Sequence, residues 1–206
     1  MSGAAPDRLV KELRRAVADE RVLDAVAAVP RDLFVPEGML HEAWDNAPLP
    51  IGCGQTISQP LVVARMCELL ELDGSERVLD VGTGSGYHAA LLARLAAEVY
   101  SVELHAALSD RAARALAAAG AHVTLAVGDG CRGLPAHAPY DAINVAAAAH
   151  RRVPPALLPQ LAPGGRLVAP VEHGREQRLQ LVREDHGRFE VAWFERVRFV
   201  PLVASG

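Results

Sequence analysis

Metal-binding and disulfide patterns are missing from this 206-residue sequence. Its three cysteines, Cys53, Cys67 and Cys131, are odd in number and form no C-x-x-C pair. They are therefore expected to be free thiols in a reducing compartment. The eight histidines are scattered, with no H-E-x-x-H motif and no cluster with cysteine. We therefore expect no bound metal.

Long apolar runs and runs of basic residues are also absent. No apolar stretch approaches the ~18 residues that a membrane-spanning helix needs, and the first residues contain no continuous apolar segment of the secretory type. The net charge of −4 and the dispersion of lysine and arginine do not favour a nucleic-acid partner. These absences predict a soluble cytoplasmic protein, with neither a membrane nor a nucleic acid among its partners.

What the sequence does contain is a glycine-rich stretch, Val78-Leu79-Asp80-Val81-Gly82-Thr83-Gly84-Ser85-Gly86-Tyr87. An apolar run leads into an acid, three glycines alternate with small residues, and a helical pattern follows. This order predicts a buried strand, a tight turn and the start of a helix. The three glycines permit a sharp turn and leave no Cβ between the backbone and a ligand.

The spacing of these glycines bears on which ligand the loop would bind. A dinucleotide-binding fingerprint requires glycine where this chain has Tyr87, and no lysine follows as in a phosphate-binding loop. Glu103 closes the next apolar run roughly 20 residues beyond Gly82, where nucleotide-binding folds place the acid that binds the ribose. A ligand that has a ribose but no pyrophosphate fits this pattern, and S-adenosylmethionine is the commonest one. A glycine-rich turn that binds nothing is the alternative.

Helical and strand patterns alternate along the chain. They predict two short helices before Pro30, and a long functional loop over residues 44–60. The elements predicted after it are helices over 60–70, 87–97, 106–119 and 154–163, and strands over 77–81, 99–103, 122–127, 142–145 and 166–171. Alternating residues around Asp185-His186-Gly187 predict an antiparallel hairpin, and residues 197–203 a last strand.

This alternation predicts an α/β, Rossmann-like fold with a mostly parallel twisted sheet, helices on both faces and an antiparallel C-terminal hairpin. A single domain covers residues 1–206. Residues 1–60 supply N-terminal helices and a covering loop, and residues 61–206 supply the Rossmann-like core. Ligands in such sheets bind beyond the carboxyl ends of the strands. The expected crevice therefore gathers four strand ends, at residues 80–86, Glu103, Asp129 and residues 146–149.

Four stretches resemble bacterial protein-L-isoaspartate O-methyltransferases, and the resemblance covers nearly the whole chain. Two are specific to that family: Leu49-Pro50-Ile51-Gly52 with Gln55-Thr56-Ile57-Ser58-Gln59-Pro60, and Val197-Arg198-Phe199-Val200-Pro201-Leu202-Val203. The glycine-rich stretch and Leu161-Ala162-Pro163-Gly164-Gly165 are shared by many methyltransferases. The resemblance implies an S-adenosylmethionine-dependent methyltransferase that esterifies the α-carboxylate of L-isoaspartyl residues in damaged proteins and peptides. The ester then closes to a succinimide, which begins repair.

The same resemblance implies roles for individual residues. Ser58 matches the catalytic serine beside the substrate carboxylate, Glu103 matches the acid on the ribose hydroxyls, and Asp129 with Gly130 matches the adenine contact. The cofactor-binding set is Thr56, Ile57, Asp80, Gly82, Thr83, Gly84, Ser85, Gly86, Glu103, Gly128, Asp129 and Gly130. The substrate-binding set is Ser58, Ala146, Ala147, Val200, Pro201 and Leu202.

Local sequence leaves other roles open for three of these residues. Ser58 precedes a predicted helix, where serine is a preferred N-cap, and local sequence alone favours that role. Asp80 fits either an ordinary strand end or a partner for the cofactor's ammonium group. Asp129, between two glycines, fits a plain turn residue equally well.

The function also has two alternatives. A peptide-tailoring methyltransferase that esterifies an ordinary Asp and forms an aspartimide would share every motif above. A non-catalytic receptor for S-adenosylmethionine and isoaspartyl peptides is the other, and the intact Thr56-Ile57-Ser58 argues against it. The expected protein is a monomer that acts on isoaspartyl-containing proteins or peptides.

Overall fold

A computed structural model of the chain describes residues 4–204. No helix within this range is long and apolar enough to cross a bilayer. The α-helices of the described residues are α1 (Ala4–Leu13), α2 (Glu20–Ala28), α3 (Pro60–Leu69), α4 (Tyr87–Leu95) and α5 (Ala106–Ala118). The strands are β1 (Leu49–Gly52), β2 (Gln55–Ile57), β3 (Arg77–Val81), β4 (Glu98–Glu103), β5 (Thr124–Val127), β6 (Tyr140–Val145), β7 (Leu161–His173), β8 (Glu176–Asp185) and β9 (Arg188–Val197).

Seven of these strands form one sheet in the order β5-β4-β3-β6-β7-β8-β9. Strands β3 to β7 pair in parallel, and β8 and β9 are antiparallel to their neighbours. The chain leaves β3 toward β4 and β5 on one side and returns to β6 on the other. Such a reversal opens a crevice at the carboxyl ends of the two central strands. The predicted α/β class, with a mostly parallel sheet and antiparallel C-terminal strands, is confirmed.

The two faces of the sheet are covered differently. Apolar side chains of all five α-helices form one core with alternate sheet residues such as Val78 and Val168. The opposite core joins Leu79 of the sheet to Val153 and Leu157, which lie outside the α-helices. The predicted α-helical cover is therefore found on one face, and short 3₁₀ helices and loops cover the other.

The prediction of an α-helix over residues 154–163 is wrong. The structure has only a short 3₁₀ helix there, Leu158–Gln160, and β7 begins at Leu161. Pro159 explains the failure, because a proline inside a helix removes a hydrogen bond and clashes with the preceding turn. Pro163, predicted to lie where the helix ends, lies instead within β7.

The prediction of a last strand over residues 197–203 is also wrong, because β9 ends at Val197. Beyond it Pro201 forms only an isolated parallel bridge with Ala148. Proline has no N–H to donate to a sheet, which limits pairing there. The amide nitrogen of Ala148 donates to the carbonyl of Val200, and that of Leu202 donates to the carbonyl of Ala148, both at 2.8 Å. The residues after β9, here called the tail, are thereby held against the segment that follows β6.

Two hairpins shape the ends of the fold. The predicted C-terminal hairpin is confirmed: β8 and β9 are joined by His186 and Gly187, which both have positive φ, as in a type I′ turn. The long loop predicted over residues 44–60 contains a small hairpin, β1–β2. Arg111 of α5 donates a hydrogen bond to the carbonyl of Ile51 in this hairpin. This bond fixes the hairpin against the body of the domain.

Candidate active site

The glycine loop, residues 82–86, begins where β3 ends at the carboxyl edge of the sheet. Gly82 and Gly84 have φ of +93° and +55°, values that L side chains adopt at a cost. A Cβ on Gly82 would meet Ala146 at an ordinary 3.7 Å, so the backbone conformation is what requires glycine there. Gly86 is required on both grounds, since its φ is +90° and a Cβ would lie 3.2 Å from that of Ala112 in α5.

Glu103, the last residue of β4, is held by the backbone of the glycine loop. Its Oε2 accepts a hydrogen bond from the amide of Gly84 at 2.8 Å, and its Oε1 accepts one from the amide of His105 at 2.9 Å. Each carboxylate oxygen has a second lone pair. The carboxylate is therefore fixed in place and keeps the capacity to accept further hydrogen bonds from a ligand.

Glu103 lines a cavity, here called the Glu103 cavity, together with the glycine loop. Sequence-predicted residues that also line it are Thr56, Gly82, Gly84 and Gly130 of the cofactor set and Ala146, Ala147, Val200, Pro201 and Leu202 of the substrate set. None of the described residues that line it is a lysine or arginine. A cavity with an acid and without lysine or arginine suits a ligand that carries hydroxyls and no phosphate.

A second cavity, here called the Ser58 cavity, adjoins the first, since Thr56, Ala146 and Val200 line both. Ser58 lines it along with residues of the C-terminal segment 196–200. A small third cavity is lined by Ser58 and by the glycine loop, and it also includes the predicted cofactor residues Ile57, Thr83 and Ser85. The structure thus brings the serine, the loop and the tail together at one edge of the sheet.

Ser58 does not cap helix α3. The N-cap residue is Gln59, and no side-chain cap is formed. The N-cap role that local sequence favoured for Ser58 is therefore wrong. The residue is half-buried, and within residues 4–204 its hydroxyl has no hydrogen-bond partner. The hydroxyl is free to donate to a ligand in either of the cavities that it lines.

Arg31 holds the backbone of Ser58, and the sequence interpretation missed it. Its side chain is wholly buried, and Nη2 donates to the carbonyl of Ser58 at 3.0 Å. Its Nε donates to the carbonyl of Ala43 at 2.9 Å, and its guanidinium carbon lies 4.7 Å from the ring centroid of Tyr87. The only signal in the sequence was a lone arginine within an apolar segment between prolines.

Asp80 lies below the glycine loop and is not among the residues that line the three cavities. It accepts hydrogen bonds at 2.7 Å from Ser101 Oγ and Asn144 Nδ2. Burial raises its pKa to about 6, against the opposing effect of these two donors. Ser101 Oγ lies 2.6 Å from the Thr83 hydroxyl. Asp80 therefore supports the loop through Ser101 in the structure, and a contact with the cofactor's ammonium group stays a prediction.

The same buried network includes His88, whose Nδ1 lies 3.2 Å from Asn144 Nδ2. The amide nitrogen is a donor toward Asp80, so Nδ1 accepts and the ring proton is on Nε2. Burial lowers the pKa of His88 to about 3 and keeps the imidazole neutral. Neither Asn144 nor His88 was singled out from the sequence.

The turn after β5 contains three residues of the predicted cofactor set. The structure shows Asp129 in the turn role. Gly128 and Asp129 are not among the residues that line the three cavities, so the adenine contact stays a prediction. Asp129 Oδ1 accepts a hydrogen bond from the amide of Cys131 at 2.9 Å and so caps a short 3₁₀ helix. The amide of Gly128 donates to the carbonyl of Glu103 at 2.9 Å. Gly130 lines the Glu103 cavity, and a Cβ there would lie only 2.6 Å from Val81 Cγ1. Close packing alone therefore requires this glycine.

Sequence comparison identifies the family. The model described as "Protein-L-isoaspartate(D-aspartate) O-methyltransferase (PCMT)" matches residues 5–206. A protein-L-isoaspartate O-methyltransferase from Anaeromyxobacter dehalogenans (strain 2CP-C) is 56% identical over 191 residues, 90% of each chain. One of the same name from Methylorubrum extorquens (strain PA1) is 51% identical over 190 residues, 92% of this chain and 83% of the relative.

Comparison with solved structures agrees with the sequence comparison. A protein-L-isoaspartate O-methyltransferase matches with a TM-score of 0.87 at 28% identity, over 98% of this chain and 66% of that chain. A putative protein-L-isoaspartate O-methyltransferase from Plasmodium falciparum, in complex with S-adenosyl-L-homocysteine, shares the fold with a TM-score of 0.82 at 24% identity, over 95% of this chain and 97% of its own. The chain therefore belongs to the protein-L-isoaspartate O-methyltransferase family.

Proposed function

We propose that this protein transfers a methyl group from S-adenosylmethionine to the α-carboxylate of L-isoaspartyl residues in damaged proteins and peptides. The observation that carries the proposal is the position of Ser58. Its unpartnered hydroxyl lines the Ser58 cavity and also the small cavity that the glycine loop lines. A carboxylate oxygen that accepts a hydrogen bond from this hydroxyl would thus lie beside the loop that faces Glu103.

The residues present fit the cofactor. The fixed carboxylate of Glu103 retains lone pairs for the two hydroxyls of a ribose, and Gly82 and Gly84 place no side chain in the Glu103 cavity. The amide of Gly84 already donates to Glu103, so it is not available to a phosphate. When bound, S-adenosylmethionine supplies a methyl group attached to a sulfonium sulfur. After the transfer, that sulfur is left as a neutral thioether.

The acceptor needs no general base, because a carboxylate with a pKa of about 4 is already ionised at neutral pH. The task of the protein is to orient the carboxylate and to exclude water. Ser58 donates one hydrogen bond to it and adds no charge that would compete with the reaction. Positioning of this kind supplies up to roughly 7–11 kcal/mol in the best intramolecular cases. Thr56 of the β1–β2 hairpin and Val200 of the C-terminal segment line both cavities and would cover bound reactants from solvent.

The product leaves the site as a methyl ester. The backbone amide nitrogen that follows the isoaspartyl residue then attacks the ester carbonyl, loses its proton, and methanol departs. The resulting succinimide opens by hydrolysis and yields ordinary aspartate in part. This later chemistry needs no residue of the protein. We further propose that the protein acts as a cytoplasmic monomer on isoaspartyl-containing proteins or peptides.

The test is methyl transfer to two peptides that differ only in having isoaspartate or ordinary aspartate at one position. We expect a methyl ester, and on mild base a succinimide, from the isoaspartyl peptide alone. Esterification of the aspartyl peptide at a comparable rate would support a peptide-tailoring enzyme instead. Binding of both the isoaspartyl peptide and S-adenosylmethionine without any ester would support a non-catalytic receptor.

A further inference from the structure

The Ser58 cavity has a local positive charge. The charged side chains among the described residues that line it are two arginines, Arg196 and Arg198. The chain as a whole carries a net charge of −4, so this concentration of positive charge is not a property of the overall composition. The cavity is also the one in which Ser58 would meet the substrate.

The two arginines differ in their partners. Arg196 Nε donates to Glu176 at 2.7 Å in an exposed ion pair. Arg198 is exposed, and within residues 4–204 it forms neither an ion pair nor a side-chain hydrogen bond. The nearby acid Glu195 is occupied by Arg65 at 2.8 Å. The guanidinium of Arg198 therefore retains all of its donors.

The backbone that bears Arg198 is held in place although it lies beyond β9. The next residue, Phe199, donates through its amide to Gln177 Oε1 at 2.7 Å, and its carbonyl accepts from Gln177 Nε2 at 3.2 Å. The carbonyl of Val200 accepts a hydrogen bond from the amide of Ala148 at 2.8 Å. The arginine is thus presented at the rim of the cavity from a fixed support.

We propose that Arg198 is a subsite for a second carboxylate of the substrate, and that isoaspartyl peptides with a neighbouring aspartate or glutamate are preferred. The proposal rests on the proposed function and specifies its substrate class. A guanidinium binds a carboxylate through two parallel hydrogen bonds. An exposed ion pair changes affinity by up to about fivefold, so the effect is a preference and not a requirement.

The reacting carboxylate is the wrong partner for this charge. A cationic partner would stabilise the carboxylate and lower its reactivity toward a methyl donor, whereas the neutral hydroxyl of Ser58 orients it with a smaller effect. A side-chain carboxylate next to the isoaspartyl residue takes no part in bond making. An ion pair there strengthens binding without weakening the nucleophile.

The experiment uses a set of isoaspartyl peptides in which one position, up to two residues to either side, is Glu, Gln or Lys. Each is assayed with the wild type, Arg198→Glu and Arg198→Gln. Arg188→Glu is the matched control, because it makes the same charge change at the far end of β9, roughly 30 Å away at 3.3 Å per residue. The quantities measured are KM and kcat at low salt, with thermal melts for each variant.

In at least one position we expect the wild type to show a KM about three- to fivefold lower for Glu than for Gln. The preference should disappear in Arg198→Gln, reverse toward Lys in Arg198→Glu, persist in Arg188→Glu, and weaken at high salt. Equal KM values for Glu, Gln and Lys at every position in the wild type would overturn the subsite. So would an equal rise in KM for all peptides in Arg198→Glu, which would place Arg198 on the reacting carboxylate. Absence of methylation of every peptide would contradict the proposed function itself.

Discussion

Arg31 donates a hydrogen bond of 3.0 Å from its buried guanidinium to the backbone carbonyl of Ser58. The two residues lie 27 positions apart. Burial lowers the pKa of Arg31 to about 10, so the group stays charged at neutral pH. The same guanidinium lies over the ring of Tyr87, the first residue of α4. The position of the serine is thereby coupled to the helix that follows the glycine loop.

Arg31→Lys should reduce the rate of methyl transfer per folded molecule by tenfold or more. Lysine keeps the charge but lacks the planar fork that reaches several carbonyls, and a drift of about 1 Å at a reacting group can cost up to 10²-fold. Single-turnover rates are compared at a temperature where denaturant titration shows both proteins to be folded. If the variant is less stable but reacts at the wild-type rate, Arg31 stabilises the fold without positioning Ser58.

Glu103→Ala should weaken S-adenosylmethionine binding by tenfold or more in calorimetry. The change removes a charged acceptor, and such hydrogen bonds are worth about 1.5–3 kcal/mol. The matched control is Glu98→Ala, at the exposed opposite end of the same strand, where Glu98 pairs with Arg77. This control should bind normally. Wild-type affinity in Glu103→Ala would remove Glu103 from the cofactor site.

Ala147→Leu should weaken binding of the cofactor. The sequence predicted that Ala147 faces the substrate, and the structure places it on the Glu103 cavity and not among the residues that line the Ser58 cavity. Added carbon atoms in a packed wall cost about 1–3 kcal/mol, which corresponds to about fivefold or more in affinity. Calorimetry with S-adenosylmethionine and peptide KM values are the two readouts. A raised KM for peptide with normal cofactor affinity would favour the substrate role.

His88→Gln should make the protein less sensitive to acid. The folded-state pKa of His88 is about 3, below its ordinary 6.5, so the unfolded chain binds the extra proton below pH 6.5 and stability falls as the pH decreases from there. Between pH 7 and pH 5 the wild type should lose about 2 kcal/mol more unfolding free energy than His88→Gln. Urea titrations at both pH values measure this difference.

The control for that prediction is His122→Gln, which replaces an exposed imidazole. Its loss of stability on acidification should match the wild type. Parallel curves for the wild type and His88→Gln would mean that His88 is protonated in the folded state, contrary to its burial.

Features that depend on local pattern were predictable from the sequence. The turn at Gly82 and Gly84 and the position of Glu103 follow from strand periodicity and spacing, and both appear in the structure. The contacts of Asn144 with Asp80 and His88 join residues 64 and 56 positions apart, and no local pattern reports such pairs. The same is true of the contact between Arg31 and Ser58.

Errors arose where a local signal was valid but incomplete. The prolines at 154 and 155 satisfy a helix start, yet Pro159 prevents a helix from continuing. Ser58 has the residue type and place of an N-cap, but Gln59 takes that position in the structure. Ala147 is a different case, because its predicted substrate role stays a prediction. It lines the Glu103 cavity, and chain order alone does not determine which of two adjoining cavities a residue after β6 lines.

In the proposed function, Ser58 orients the isoaspartyl carboxylate and activates nothing. The most direct test of this role is the single-turnover rate of methyl transfer to an isoaspartyl peptide, measured from pH 6 to 8 for the wild type and Ser58→Ala. We predict a flat profile for the wild type, because a carboxylate with a pKa of about 4 stays ionised throughout. Ser58→Ala should be slower by one to a few powers of ten, roughly the effect of misplacing a reacting group, with S-adenosylmethionine affinity nearly intact. A wild-type rate that climbs tenfold per pH unit, or a Ser58→Ala rate equal to that of the wild type, would contradict the account.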